Sequence, residues 1–318
     1  MTSKTRITII LAILISCLPF TLTASPDLTA ATESNVQQKA VLVTGASSGI
    51  GRKITEVLAA NDYLIYAGAR KQKDLDELNE IPNVQSIRLD VTIQSEIDAA
   101  VEVIKNNDKG LYGLVNNAGV TIGGPLTEVS EDDIKWLFDV NVYGPYRITQ
   151  AFAPLIIESK GRITNISSIS GILSGTFLGH YSMSKHAVEA YTDSLAGEMQ
   201  RFDVHVSAIE PGNYRSQIGK GQSEKILQQP YAQKGSPFAE DLAKWAKRIA
   251  NRDHFKEPDD VAFAVIHALF DEKPKRRYLA VPNQREAEIT IRKAFSELLQ
   301  LNAEHPYSYS RRTNQNVG

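Results

Sequence analysis

At 318 residues, with 42% hydrophobic and 23% charged side chains, the chain can bury the core of one large α/β domain or two small ones. Its 35 lysines and arginines against 37 acids leave a net charge of -2, which excludes the basic footprint of a nucleic-acid binder. The single cysteine excludes an intrachain disulfide framework.

Lys4 and Arg6 precede an uncharged, mostly apolar run from Ile7 to Ala24, and a polar segment, Ser25 to Gln38, follows it. As a helix the run would cover about 27 Å, close to the hydrocarbon thickness of a bilayer. Residues 1–24 therefore read as a signal peptide or an N-terminal membrane anchor, and residues 25–38 as a polar linker. Both options stay open. Pro19 and the Thr-rich end weaken a spanning helix, and Ala24 offers a cleavage point, although Leu22 is larger than the residue preferred there. Leu14-Ile15-Ser16-Cys17 also resembles a bacterial lipoprotein cleavage box with Cys17 as lipid acceptor. The basic start, set against Asp27 and Glu33 beyond the run, puts the amino end in the cytoplasm. The expectation is a membrane-anchored or exported protein, in a periplasm or a lumen.

From Lys39 the pattern alternates between strand and helix. Ala40 to Val43 is a short apolar strand that runs into Thr44-Gly45-Ala46-Ser47-Ser48-Gly49-Ile50-Gly51, after which Ile54, Val57 and Leu58 recur at helical spacing. Three glycines allow a tight turn, close backbone approach to a pyrophosphate and close helix–strand packing, and the helix start offers free N–H groups to phosphate. A second strand, Tyr63 to Ala67, ends in Gly68-Ala69-Arg70 where an acid would favour NAD. Arg70 suits a ribose 2'-phosphate instead, so NADP is preferred and NAD remains possible; the alternatives for Arg70 are stacking on adenine or facing solvent.

A charged helix over 71–79 leads to a third strand, Val84 to Leu89, ending at Asp90-Val91. A helix over 93–106 precedes the strand Leu111 to Val115 and the turn Asn116-Asn117-Ala118-Gly119, whose amides are placed to brace the sheet. The spacing predicts one long helix from Glu131 to Glu158, with Asn141 in its middle and Gly144-Pro145 placed to free carbonyls and bend the axis.

The run Gly161 to Ser167 reads as a strand that delivers the Ser168 hydroxyl to the sheet edge, where it can hold a carbonyl or alcohol oxygen. Thirteen residues later Tyr181 opens a helix, and Lys185 follows on the same face. A phenol loses its proton near pH ~10, and a neighbouring ammonium lowers that value. After this helix come a strand from Val204 to Ile209 and the turn Glu210-Pro211-Gly212-Asn213-Tyr214-Arg215-Ser216. Residues 213–256 lack the sheet rhythm and carry Tyr231, Phe238 and Trp245, as a substrate lid would. A helix from Glu257 to about Phe270, a seventh strand from Arg277 to Ala280, a last helix over 285–301 and a mobile polar tail, residues 302–318, complete the chain. His180 and His186 read as surface or pocket-lining residues, and no spacing of histidine, cysteine and carboxylate suggests a metal site.

Together, Thr-Gly-x3-Gly-x-Gly, Asn-Asn-Ala-Gly, Asn141, Ser168 and Tyr181-x3-Lys185 resemble the short-chain dehydrogenase/reductase family over Lys39 to about Ala280, closest in look to its retinol, hydroxysteroid and 3-hydroxybutyrate dehydrogenases. The alternation implies an α/β fold, a doubly wound Rossmann-type parallel sheet of seven strands in a single domain over 39–301. The resemblance implies direct hydride transfer between nicotinamide and a secondary or apolar alcohol or ketone. Ser168 would hold the oxygen, Tyr181 exchange the proton, Lys185 lower the tyrosine pKa and grip the ribose, and Asn141 hold a relay water. It also implies cofactor contacts at Asp90, Val91, Asn117, Ala118, Gly119, Pro211, Gly212 and Ser216, and a homo-oligomer, dimer or tetramer. The other class of function is a non-catalytic NADP(H)-binding sensor or scaffold at a membrane.

Overall fold

A computed structural model describes residues 38–216, 222–233, 235–250 and 254–309. Its centre is strand β1 (Ala40–Val43), whose four apolar residues are all buried because helices cover both faces of the sheet. Val41 and Val43 point into one core with Ile54, Leu58, Val261 and Leu269; Ala40 and Leu42 point into the other with Ile97, Ile104, Ile148 and Phe152. This is the period-two alternation of a strand, read on two faces at once.

β1 pairs in parallel with β2 (Leu64–Ala69) on one side and β4 (Gly113–Asn116) on the other. With β3 (Val84–Arg88), β5 (Arg162–Ile166), β6 (His205–Pro211) and β7 (Arg277–Ala280), the sheet runs β3-β2-β1-β4-β5-β6-β7, all parallel. The chain reverses direction across the sheet between β1 and β4, and such a switch point leaves a crevice beyond the strands' carboxyl ends. Helices α1 (Gly49–Ala60), α2 (Gln72–Asn79) and α3 (Gln94–Asn106) connect the first four strands.

The helix expected over 131–158 is two helices, α4 (Glu131–Phe138) and α5 (Gly144–Glu158), joined by a π-helical turn at Asp139–Tyr143. The cause is Gly144-Pro145. Pro145 has no N–H to donate, the Gly144 N–H reaches back five residues to the Asp139 carbonyl, and a Cβ at Gly144 would lie 2.7 Å from Val91 Cγ2. After β5 a 3-10 turn (Ile169–Gly171) leads to the long helix α6 (Gly179–Met199).

Residues 213–256, expected as a lid without sheet rhythm, contain α7 (Gln222–Leu227), a 3-10 turn (Pro230–Ala232) and α8 (Ala239–Ala250). Ile226, Tyr231, Leu242 and Trp245 form a small core of their own with Val129. Helices α9 (Asp259–Phe270) and α10 (Gln284–Asn302) flank β7. Among the described residues no helix is long and apolar enough to cross a membrane. The apolar run over 7–24 and most of the polar linker lie outside the described residues, as does the tail beyond 309.

Candidate active site

The glycine turn after β1 is tied to the turn after β4 by Thr44 and Asn117. Thr44 Oγ1 accepts the backbone N–H groups of Asn117 and Ala118, each at 3.0 Å. Asn117 Nδ2 donates to the carbonyls of Thr44 and Gly45 at 2.9 and 3.1 Å. The approach leaves no room for a methyl group: a Cβ on Gly45 would stand 2.9 Å from Ala118 Cα, and one on Gly51 would overlap Asn117 Nδ2 and the Gly45 carbonyl. Gly45 also has φ +64°, a left-handed conformation. α1 begins with no capping side chain and no acid in its first turn, so its free N–H groups and positive dipole end face the crevice unopposed.

Asn116 braces the sheet as expected, donating to Thr149 Oγ1 at 3.0 Å and to Asn165 Oδ1 at 2.9 Å. At the far end of the crevice Arg70 Nη1 stands 3.6 Å from Asp90 Oδ2, with the Arg70 side chain 62% exposed. Burial pushes the Asp90 carboxyl up, but hydrogen bonds from the Thr92 N–H and hydroxyl, with the Arg70 guanidinium, outweigh it and hold the group below its usual range.

Ser168 follows β5 and caps the 3-10 turn, its Oγ accepting the Ser170 N–H at 3.1 Å. Tyr181 lies in the first turn of α6, and Lys185 Nζ is 5.7 Å from its ring centre. Lys185 is buried and donates to the Ile166 carbonyl at 2.9 Å. Burial lowers its pKa to about 8, against the pull of the Glu189 carboxylate. Asn141 sits in the π turn; its Oδ1 accepts the Val120 N–H at 2.8 Å, and its Nδ2 donates to the Val120 carbonyl at 2.9 Å and to Ser184 Oγ at 3.0 Å. That side chain grips the segment after Gly119 and links it to α6. Beside β7, the Gly212 N–H donates to the Ala280 carbonyl and the Asn213 N–H to Glu286 Oε2, both at 2.8 Å.

One cavity of about 920 Å³ joins these parts. Gly45, Ser47, Ser48, Gly49, Ile50, Gly51, Arg70, Asp90, Val91, Asn117, Ala118, Gly119, Ser168, Tyr181, Lys185, Pro211, Gly212 and Ser216 all line it. Thr44 and Asn141 are buried behind the wall and hold it in shape. The glycine cradle, the uncapped helix start and the length of the crevice fit a dinucleotide. Leu173, Leu178, Trp245, Ile249 and Phe255 add apolar surface to the same cavity, with Arg248 among them.

His180 corrects an expectation. It is buried rather than at the surface, it is absent from the cavity wall, and neither ring nitrogen has a hydrogen-bond partner among the described residues. Burial keeps its pKa low, opposed by Asp133 of α4. Sequence reasoning also missed a cluster below the site, Glu189, Glu210 and Arg277, for which the signal was an acid one turn after Lys185. Among the described residues no group of three histidines, cysteines or carboxylates could hold a metal ion.

Comparison with known proteins agrees with this geometry. The family model for short chain dehydrogenases matches residues 39–227. The mitochondrial D-beta-hydroxybutyrate dehydrogenase of Bos taurus is 35% identical over 275 residues, 78% of each chain. Retinol dehydrogenase 16 of Homo sapiens is 31% identical over 264 residues, 78% of this chain and 82% of that one. A short chain dehydrogenase/reductase from Burkholderia phymatum, solved in complex with NAD, superposes with a TM-score of 0.70 at 25% identity, covering 86% of this chain and 99% of that one.

Proposed function

The chain belongs to the short-chain dehydrogenase family, and from that premise we propose that it moves a hydride between a nicotinamide cofactor and a secondary alcohol or ketone with an apolar body. The observation that carries this reading is the one cavity lined by the glycine cradle, by Ser168, Tyr181 and Lys185, and by apolar side chains such as Leu173, Leu178 and Trp245. The relatives' names span a hydroxy acid and a retinol, which sets the breadth of the substrate class.

The bound nicotinamide supplies or accepts the hydride. The chain's own residues do the rest. Ser168 donates a hydrogen bond to the substrate oxygen. Tyr181 gives or takes the proton on that oxygen, and the charged Lys185 lowers the cost of the phenolate. Asn141 positions the Val120 segment and Ser184. We assign the relay water to its backbone carbonyl, which Pro145, lacking an N–H, cannot serve as a helical donor.

For the cofactor we propose NADP(H), on the strength of Ala69-Arg70 in place of an acid; the loose 3.6 Å pair with Asp90 leaves the guanidinium free to turn to a phosphate. Exposed Trp136, Tyr143, Tyr146 and Met183 on the outer faces around Asn141 and Tyr181 support a homo-oligomer. A nicotinamide fluorescence screen over steroids, retinoids, hydroxy acids and simple ketones tests the reading. Turnover of a member of these classes supports it; tight NADPH binding with no turnover across the panel favours the sensor instead.

A further inference from the structure

Glu189 lies one turn beyond Lys185 on α6, so the two side chains share a face. Arg277 of β7 meets it: Nη2 is 3.1 Å from Glu189 Oε2, Nε is 3.4 Å from Oε1 of Glu210 on β6, and the fork binds Asp193 with two bonds of 2.8 Å. Glu189 and Glu210 are buried, while Asp193 is about half exposed. Three carboxylates thus share one guanidinium where burial disfavours charge. The excess falls on Glu210, which burial and then Glu189 push up to about 7.

Glu189 also packs under the turn that carries Ser168. A Cβ on Gly171 would stand 2.9 Å from Glu189 Cγ and 2.9 Å from Ser167 Oγ. Other charged and titratable groups around this part of α6 are engaged elsewhere. Asp139 of the π turn pairs with Arg147 at 2.7 Å, and Asp133 of α4 accounts for the field at His180. Tyr181 lies on the Lys185 side and Asp193 on the Arg277 side.

We propose that Glu189 is a positioning residue for the reaction: its carboxylate keeps buried Lys185 charged and seats the Ser168 turn, and Arg277 is the clamp that holds it. The proposal rests on the reading in which charged Lys185 assists Tyr181. Loss of that reading shows separately, as an absence of wild-type turnover.

The test is a titration of Lys185 by lysine ¹³Cε NMR in the protein alone, with the pH profile of kcat alongside. In Glu189→Gln the Lys185 titration and the alkaline limb of kcat are expected to move down by about half a pH unit or more, because a stabilising negative charge is gone. Glu189→Asp is expected to restore both. A loss of activity equal at every pH, with both titrations unmoved, overturns the proposal. Should Glu189→Gln not fold, Asp193→Asn at its half-exposed position decides: Arg277 then neutralises Glu189 more fully, and Lys185 must still titrate lower than in wild type. An unmoved Lys185 overturns the proposal there too.

Discussion

Lys185 Nζ donates a 2.9 Å hydrogen bond to the carbonyl of Ile166, the last residue of β5. That bond ties the helix carrying Tyr181 to the strand that delivers Ser168, and both residues line the same cavity from different elements. Tyr181→Phe keeps this framework and removes only the transferable proton. Turnover is expected to fall by roughly 10²- to 10⁴-fold with cofactor binding retained. Lys185→Ala removes the tie as well and is expected to weaken both. Steady-state kinetics with a fluorescence binding titration checks this, and wild-type-like rates in Tyr181→Phe would sink the mechanism.

Two glycines test the cradle in opposite directions. Gly51→Ala drives a methyl into Asn117 Nδ2 and the Gly45 carbonyl, and pushing them aside breaks the 3.1 Å hydrogen bond that joins them. The variant is expected to lose roughly 1–3 kcal/mol of stability and most of its cofactor affinity. Gly197, exposed within α6, has nothing within 4 Å of its Cβ position. Gly197→Ala is expected to gain about 0.5–1 kcal/mol with binding unchanged. Denaturant melts with and without cofactor read both, and equal behaviour of the two variants would refute the packing account.

Arg70→Ala is expected to cost NADP(H) about ten- to hundredfold in affinity, since a charge-assisted bond contributes roughly 1.5–3 kcal/mol. NAD(H) should be affected far less. Equal losses for both cofactors, or a wild-type preference for NAD, would show that the Arg70–Asp90 pair serves only the protein.

Much of the site was legible because its chemistry sits in short segments: each strand end carries its own turn, and Tyr181 and Lys185 are held by helical spacing alone. The fold followed from the alternation of apolar strands with amphipathic helices. What escaped depends on partners distant in the chain. Glu189 and Asp193 come from α6, Glu210 from β6 and Arg277 from β7, and the acid one turn after Lys185 does not by itself reveal three carboxylates on one guanidinium. The π turn was visible only as a glycine and a proline that disturb a helix; its extra residue is a matter of hydrogen-bond register. His180 was misread because polar residues beside an active helix usually face out, whereas α4 packs over this one.

We also propose that the domain is attached to or carried across a membrane by residues 1–24, from the charged start and apolar run of the sequence. This pulls against the cofactor assignment, since a periplasm offers no obvious supply of nicotinamide nucleotide and an endoplasmic reticulum lumen could. Fractionation with protease protection separates the cases, and full-length protein left soluble in the cytosol with residues 1–24 uncleaved would refute the targeting.

Burial, and then Glu189, raise the Glu210 carboxyl from 4.5 to about 7 in the folded protein. Below pH 4.5 the group is protonated in both folded and unfolded chains and contributes no pH dependence. Between 4.5 and about 7 the folded state holds a proton that the unfolded state has released, so stability falls as pH rises. Above that window both states are ionised and the full penalty, at most about 3 kcal/mol, is present. Glu210→Gln copies the protonated form and lacks the slope. Its melting temperature is expected to exceed that of wild type by several degrees at about pH 8, with the gap closing toward pH 5. A variant less stable than wild type at both pH values would show instead that the ionised Glu210 is worth more to Arg277 than its burial costs.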